Sequence, residues 1–331
     1  MIVDKLTSIN YNSDSIEVPV ETKEPENIDI DKIHSEIYKE PVDAYYTKDP
    51  FAVYPSSTGL DFNISVDEAK TMLNTPSESY TIPLKTLYPN VSTDDIGTEA
   101  FPDRLASFST SYASSNANRS TNIALAASKL NGKVLMPGEE FSFNGTVGKR
   151  TTQAGFKTAT VYSNGQVTTD VGGGICQVSS TLYNAVLRAN LEITDRRNHT
   201  FTVGYVPIGL DATVSWGAPD FKFKNSRSYP VKIVATTQNK RLSISIYGLK
   251  EEVEYEVELV SYRTGTVPYS TVYTTDSSLP KGQTKVVQAG SNGAKSEAYK
   301  ILKLNGKEVS RTLLSKDTYS PHNQIVARGT K

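Results

Sequence analysis

Apolar positions recur at helical spacing in four short stretches of this chain and tend to alternate elsewhere. Ile30, Ile33 and Ile37 form one row, ending near Pro41, which predicts a short helix. Ser65 stands as an N-cap ahead of Asp67 and Glu68, so GLDFNISVDEAKTML reads as a strand entering a helix. A third helix is predicted from about Arg119 to Leu130, with Ile123, Ala127 and Leu130 facing the core and Asn131-Gly132 as its C-cap. In the fourth, Val178, Leu182 and Val186 make one row and Tyr183 and Leu187 the next.

Alternation predicts strands in SIEVPVETKEPE, in the piece beginning Asp43-Ala44-Tyr45-Tyr46, and in SESYTIPLKTLYPN. LNGKVLMPGEEFSFNGTVG reads as two short strands joined at Pro137-Gly138, and LEITD as another. Asp211 begins an alternating strand in GLDATVSW, and DFKFKNSRSYPVKIVATTQNKRLSISIYG yields two antiparallel strands turning at Thr237–Asn239. The serine-rich bridge STDDIGTEAFPDRLASFSTSYASSNANRS is predicted to be irregular. From Val253 to Lys331 long alternating strands are punctuated by Gly282, Gly290, Gly293 and Gly306. That tail is expected to fold alone and to contribute no residue to a site elsewhere. The expected class is α+β, β-rich and multidomain, with the fourth helix packed on antiparallel strands and an all-β C-terminal domain. The expected division is 1–95, 96–250 and 251–331.

Composition narrows the function. A chain of 331 residues suits two or three domains. Its net charge of −1 argues against a nucleic-acid or membrane-surface binder. A single cysteine excludes an intramolecular disulfide, which fits a cytosolic protein or an exported one from a bacterium that does without disulfides. No run of about twenty apolar residues occurs. The opening MIVDKLTSIN lacks the apolar core of a signal peptide yet leads almost at once into a strand. An export or anchor segment is therefore expected to have been removed ahead of it. One cysteine and three scattered histidines are poor material for a zinc site, and no GxxxxGK[ST] loop occurs. No metal or cofactor is expected.

The chemistry gathers at DVGGGICQVSSTLYNAV. Gly172–Gly174 precede Cys176, and the fourth helix starts just after them. Unpaired amides and the positive end of a helix dipole favour a thiolate. The amides around Gly173, Gly174 and Gln177 are placed to receive an oxyanion. The competing reading is a small buried thiol beside an ordinary turn. His199, the one histidine near this stretch, lies beyond the helix and LEITD, where a returning strand brings it back as base and acid. Its competing reading is a surface histidine in the polar turn RRNHT, and His34 is read as a surface residue. Asp211 is the first choice to orient the imidazole, with Asp195 and Asn198 as rivals. Arg196 and Arg197 are candidates to pair with a substrate carboxylate, Arg197 being preferred.

In order along the chain, NRSTNIALAASKLNGKVLMPGEEFSFNGTVGKRT, DVGGGICQVSSTLYNAVLRANLEI, RRNHT and VPIGLDATVSWGAPDFKFKNSRSYPVKI resemble the VanW-domain family, from about Phe108 to Gly248. The resemblance implies a cysteine L,D-transpeptidase of peptidoglycan, chemically akin to YkuD-type enzymes on another fold. It implies a tetrapeptide stem as donor, a Cys176 thioester, and a direct link between third residues of two stems. KGQTKVVQAGSNGAKSEAYKILKLNGKEV resembles the G-five domain of bacterial surface proteins, which implies adhesion to wall glycan or spacing. The N-terminal stretch resembles peptidoglycan-binding-like repeats. Together these imply a Gram-positive type of protein at the extracellular face of the envelope, wall-associated or anchored through a segment absent from this chain. The rival classes are a cysteine hydrolase of wall peptides and a non-catalytic wall-binding or spacing protein.

Overall fold

The computed structural model describes residues 27–163 and 166–331, so the strand expected in SIEVPVETKEPE lies outside the described residues. The described chain divides into two compact units. One comprises the chain up to Glu40 together with Thr58–Leu87, the other Pro41–Ser57 and Tyr88–Lys331.

In the first unit, Asp29 caps a helix over Ile30–Ile37, and Ser65 and Glu68 form a reciprocal capping box at the helix Val66–Met72. Antiparallel strands Gly59–Phe62 and Leu84–Leu87 complete it, and Ile30, Phe62 and Ala69 are its buried centre. His34, expected at the surface, is partly exposed and is also held by partners. Its Nε2 lies 2.8 Å from Asp61 Oδ1, and its ring meets the edge of Phe62.

The second unit begins with the hairpin Tyr45–Lys48/Phe51–Tyr54. That hairpin, assigned from sequence to the N-terminal segment, packs through Val53 onto Ile96, Phe101 and Val134 and so belongs here. The main sheet is antiparallel, in the order Asp103–Ser111, Arg241–Gly248, Val231–Gln238, Val134–Leu135. The strand Asp103–Ser111 corrects the irregular bridge. Its hydroxyl-rich side chains read locally as loop, but they pair across the ladder, Ser107 with Ser245 at 3.0 Å and Ser109 with Ser243 at 2.9 Å. The helices Ala117–Leu130 and Ile175–Arg188 pack on this sheet.

Of the Ile175–Arg188 helix, every residue except Cys176 and Arg188 is buried. Val178, Leu182 and Val186 are fully enclosed, each contributing about 1.5–3 kcal/mol of burial. The opposite face buries Ser179, Ser180 and Asn184, whose polar groups need partners. The chain at 210–213 supplies them. Ser179 Oγ donates to Ala212 O (2.6 Å), Asn184 Nδ2 to Leu210 O (2.6 Å), and Ala212 N to Ser180 Oγ (3.0 Å). Asp211 therefore does not begin a strand. Its neighbours are held by helix side chains in place of a ladder.

The tail is all β. Glu256–Val267, Gly293–Leu304 and Lys307–Tyr319 form one antiparallel sheet. Gln324–Gly329 lies parallel to Thr271–Asp276 and antiparallel to Thr284–Gln288 in a second. Among the described residues no helix is long and apolar enough to cross a membrane.

Candidate active site

The hairpin Thr158–Ser163/Gln166–Val171 delivers the chain into the glycine loop. Gly174 is the N-cap of the cysteine helix at φ +107°, a backbone that side chains rarely adopt. Gly173 is required for closeness: a Cβ there would lie 2.7 Å from Thr160 O and 2.9 Å from Ala159 O. Gly173→Ala is expected to destabilise the fold by about 1–3 kcal/mol through this overpacking. Thermal denaturation should show a melting point several degrees lower, and an unchanged one would mean the loop can move off the hairpin. Ile175 N donates to Gly172 O and Gln177 N to Gly174 O. Among the described residues the Cys176 amide between them meets no acceptor, and neither do the Gly173 and Gly174 amides ahead of it, so these three are the donors open to an oxyanion.

Cys176 is half-buried, with Sγ 3.7 Å from Thr213 Oγ1 and 3.4 Å from Val214 O. His199 is within hydrogen-bonding reach of it. The other ring nitrogen, Nδ1, lies 2.6 Å from Asp211 Oδ2, which also accepts the His199 backbone N–H at 2.7 Å. Burial alone would push the thiol up, but the hydrogen bond and charge of His199 outweigh it and bring it from 9.0 to about 7. Burial likewise opposes the imidazolium. The Asp211 hydrogen bond and the thiolate prevail, raising His199 to about 9. Between those values the pair is a thiolate beside an imidazolium. Asp211 stays below its ordinary value despite burial, because His199 and Tyr319 donate to it. Cys176 alkylation by iodoacetamide follows the thiolate and should rise with a midpoint near 7. Turnover that needs the imidazolium as acid should fall as pH passes about 9. An alkylation midpoint at or above 9.0, or none before denaturation, would identify an inert thiol.

The description "VanW like protein" matches residues 118–247, and "G5 domain" matches 251–331. An uncharacterized Bacillus subtilis protein, YoaR, is 38% identical over 223 residues, which are 66% of this chain and 73% of that one. The chain belongs to the VanW-like family. The Enterococcus faecalis vancomycin B-type resistance protein VanW is 32% identical over 139 residues, 40% of this chain and 50% of that one. A solved G5 domain of an IgA1 protease is 31% identical, covering 25% of this chain and 95% of that one, with a TM-score of 0.19.

Several residues of the VanW-like region beside the thiol carry no local sequence signal. The Arg119 and Arg150 guanidinium groups both act electrostatically on Cys176. Arg119 leans across Gly174, where a Cβ would meet its Cγ at 2.9 Å, and Arg150 across Gly172. The Arg150 Nη2 is buried with no hydrogen-bond partner. The Tyr205 hydroxyl lies 3.4 Å from His199 Nε2, and burial keeps it protonated.

Two expected roles are redirected. The Gln177 backbone N–H, expected for the oxyanion, is taken up by Gly174 O at 3.0 Å. Its side chain donates to Thr110 Oγ1 and Ser111 O and accepts from Arg119, so it braces the helix against the sheet. Arg197 is exposed, and its backbone carbonyl accepts from Thr213 N. Arg196 is the buried arginine, bridging Asp211 and Asp317. Asp195 is exposed, and the Asn198 amide donates to His199 O and Thr318 O, so neither meets the imidazole from the orienting side.

The G5 domain does not stand clear of the site as expected. Tyr319 Oη lies 2.5 Å from Asp211 Oδ1, and Asp317 holds Arg196 with both oxygens. The reason is packing: the loop carrying His199 and Asp211 has the cysteine helix on one side and the G5 strand pair on the other. Among the described residues no group of three or more His, Cys, Asp and Glu side chains could hold a metal ion.

Proposed function

We propose that this chain is a cell-wall L,D-transpeptidase acting through Cys176, with His199 as base and acid and Asp211 orienting it. The reading rests on one observation: a half-buried thiol at a helix start, held near neutral pH by a histidine whose far nitrogen is 2.6 Å from a buried carboxylate. The stem chemistry and cross-link come from the family resemblance. The Cys176 thiolate attacks the carbonyl joining the third stem residue to terminal D-alanine. The C–N bond breaks as His199 gives its proton to the leaving amine. The acceptor amine of a second stem then attacks the thioester, passing a proton to neutral His199. The C–S bond breaks and the thiolate returns. One amide is exchanged for another, so the sum needs no oxidant, reductant or nucleotide. The Cys176 amide, with the protonated Tyr205 nearby, is available to the oxyanion. Arg119 and Arg150 interact electrostatically with Cys176, and they suit the carboxylates of a stem peptide.

The decisive experiment is incubation of the protein with tetrapeptide-stem muropeptides and mass analysis of the products. Dimers joined through third residues with release of D-alanine are expected. Release without dimers would make it a hydrolase, and neither product would favour the wall-binding alternative. The three-part division of the chain, with the G5 domain at the wall glycan, belongs to the same proposal. Sacculus pull-down tests it, and equal retention after glycan digestion would oppose it.

A further inference from the structure

Asp211 is 1% exposed, and every contact of its carboxylate is specific. Oδ2 serves His199, while Oδ1 accepts from Tyr319 Oη at 2.5 Å and from Arg196 Nη2 at 3.3 Å. Tyr319 is itself fixed, since Gly209 N donates to its hydroxyl at 2.9 Å. Arg196 donates through Nε to Asp211 O at 2.6 Å and through Nη2 to Gly209 O at 3.2 Å. Its Nη1 spans both Asp317 oxygens, at 2.9 and 2.8 Å, and Ser315 Oγ donates to one of them at 3.0 Å. Tyr319, Asp317 and Ser315 all belong to one strand of the G5 domain, Lys307–Tyr319. Two further features belong to the same seam. Ser320 N donates to Thr200 O at 2.7 Å, and a Cβ at Gly209 would touch Ser296 and Ala298 at 3.1 and 3.2 Å.

We infer that Tyr319 and Asp317 of the G5 domain are positioning residues for the thiol–imidazole pair, so that the tail completes the catalytic centre of the VanW-like region. Tyr319 occupies the one carboxylate oxygen that faces away from His199, and the Asp317–Arg196 pair clamps the backbone on which that carboxylate rides. Without them Oδ1 is left to Arg196 alone, and the carboxylate turns toward it and away from Nδ1. The imidazolium then loses its partner, the thiolate loses the imidazolium, and the thiol titrates higher. The other charged or titratable groups around the pair, Arg119, Arg150 and Tyr205, lie outside the G5 domain and are unchanged by the substitutions. A tail that only tethers the protein to the wall has no reason to reach this carboxylate.

The inference rests on the cysteine reading above, and the test separates the two. Full-length parent, Tyr319→Phe and Asp317→Asn are compared by iodoacetamide alkylation against pH and by muropeptide turnover. In Tyr319→Phe the alkylation midpoint should rise by about one pH unit, the equivalent of one hydrogen bond to a charged group. The kcat should fall roughly tenfold with KM within about twofold, and Asp317→Asn should move both in the same direction by less. Folded variants with the parent's midpoint and kcat would overturn the inference. A midpoint raised in the variants, beside a parent that transfers nothing, would keep the positioning role and discard the transpeptidase. Should Tyr319→Phe fail to fold, Asp317→Asn, which keeps an acceptor for Arg196, carries the same readouts alone.

Discussion

Cys176→Ser should abolish cross-link formation, by about 10⁶-fold in kcat, the loss expected when a nucleophile that works with a base is removed. The loss is chemical and not structural. Serine is nearly isosteric, Cys176 is one of two residues of its helix that are not fully buried, and Val214 O at 3.4 Å can accept from a hydroxyl as it does from the thiol. What disappears is an acid that ionises near pH 7 beside an imidazolium. A serine hydroxyl does not ionise there, so the variant has no anion poised to attack at neutral pH. The measurement is dimer yield from purified muropeptides, with circular dichroism as the control for folding. Equal yields from parent and variant would eliminate the catalytic cysteine and leave a binding module.

The second large effect belongs to the histidine. His199→Ala should lower kcat by about 10²- to 10⁴-fold, because both the acid for the leaving amine and the base for the acceptor amine are lost. It should also return the thiol toward its ordinary 9.0, since the His199 hydrogen bond and charge are what oppose the burial of Cys176. Asp211→Asn should cost less in rate yet move both ends of the pH profile. Without the carboxylate the imidazolium is less stable, so the alkaline limb shifts down from about 9 while the acidic limb shifts up from about 7. The optimum therefore narrows from both sides. A His199→Ala protein that keeps near-full activity would assign the base elsewhere. A wider optimum in Asp211→Asn would mean that the carboxylate does not act through the imidazole.

What could be read from the sequence was whatever depends on neighbours a few residues away. Apolar spacing and caps are local, and so the helices at Ile30, Val66, Ala117 and Ile175 begin after Asp29, Ser65, Asn116 and Gly174. The glycine loop before a helix start identified Cys176, and a scarcity of histidines singled out His199. The family resemblance rested on motifs that are themselves short and ordered.

Tertiary structure alone decided the rest. A hydroxyl-rich stretch looks like loop until a distant strand offers its ladder, as Arg241–Gly248 does for Asp103–Ser111. Ser179, Ser180 and Asn184 look like polar positions on a helix, yet they are buried and hold the Asp211 segment in place of a sheet. Arg119 and Arg150 come to the thiol across two glycines, while Gln177, adjacent to it in sequence, turns into the core. The longest reach is that of the G5 residues, Tyr319 to the carboxylate behind His199 and Asp317 to the Arg196 beside it. Periodicity records which face of an element is apolar. It carries no record of which distant element covers that face, and a buried carboxylate takes its donors from whatever packing brings within 3 Å.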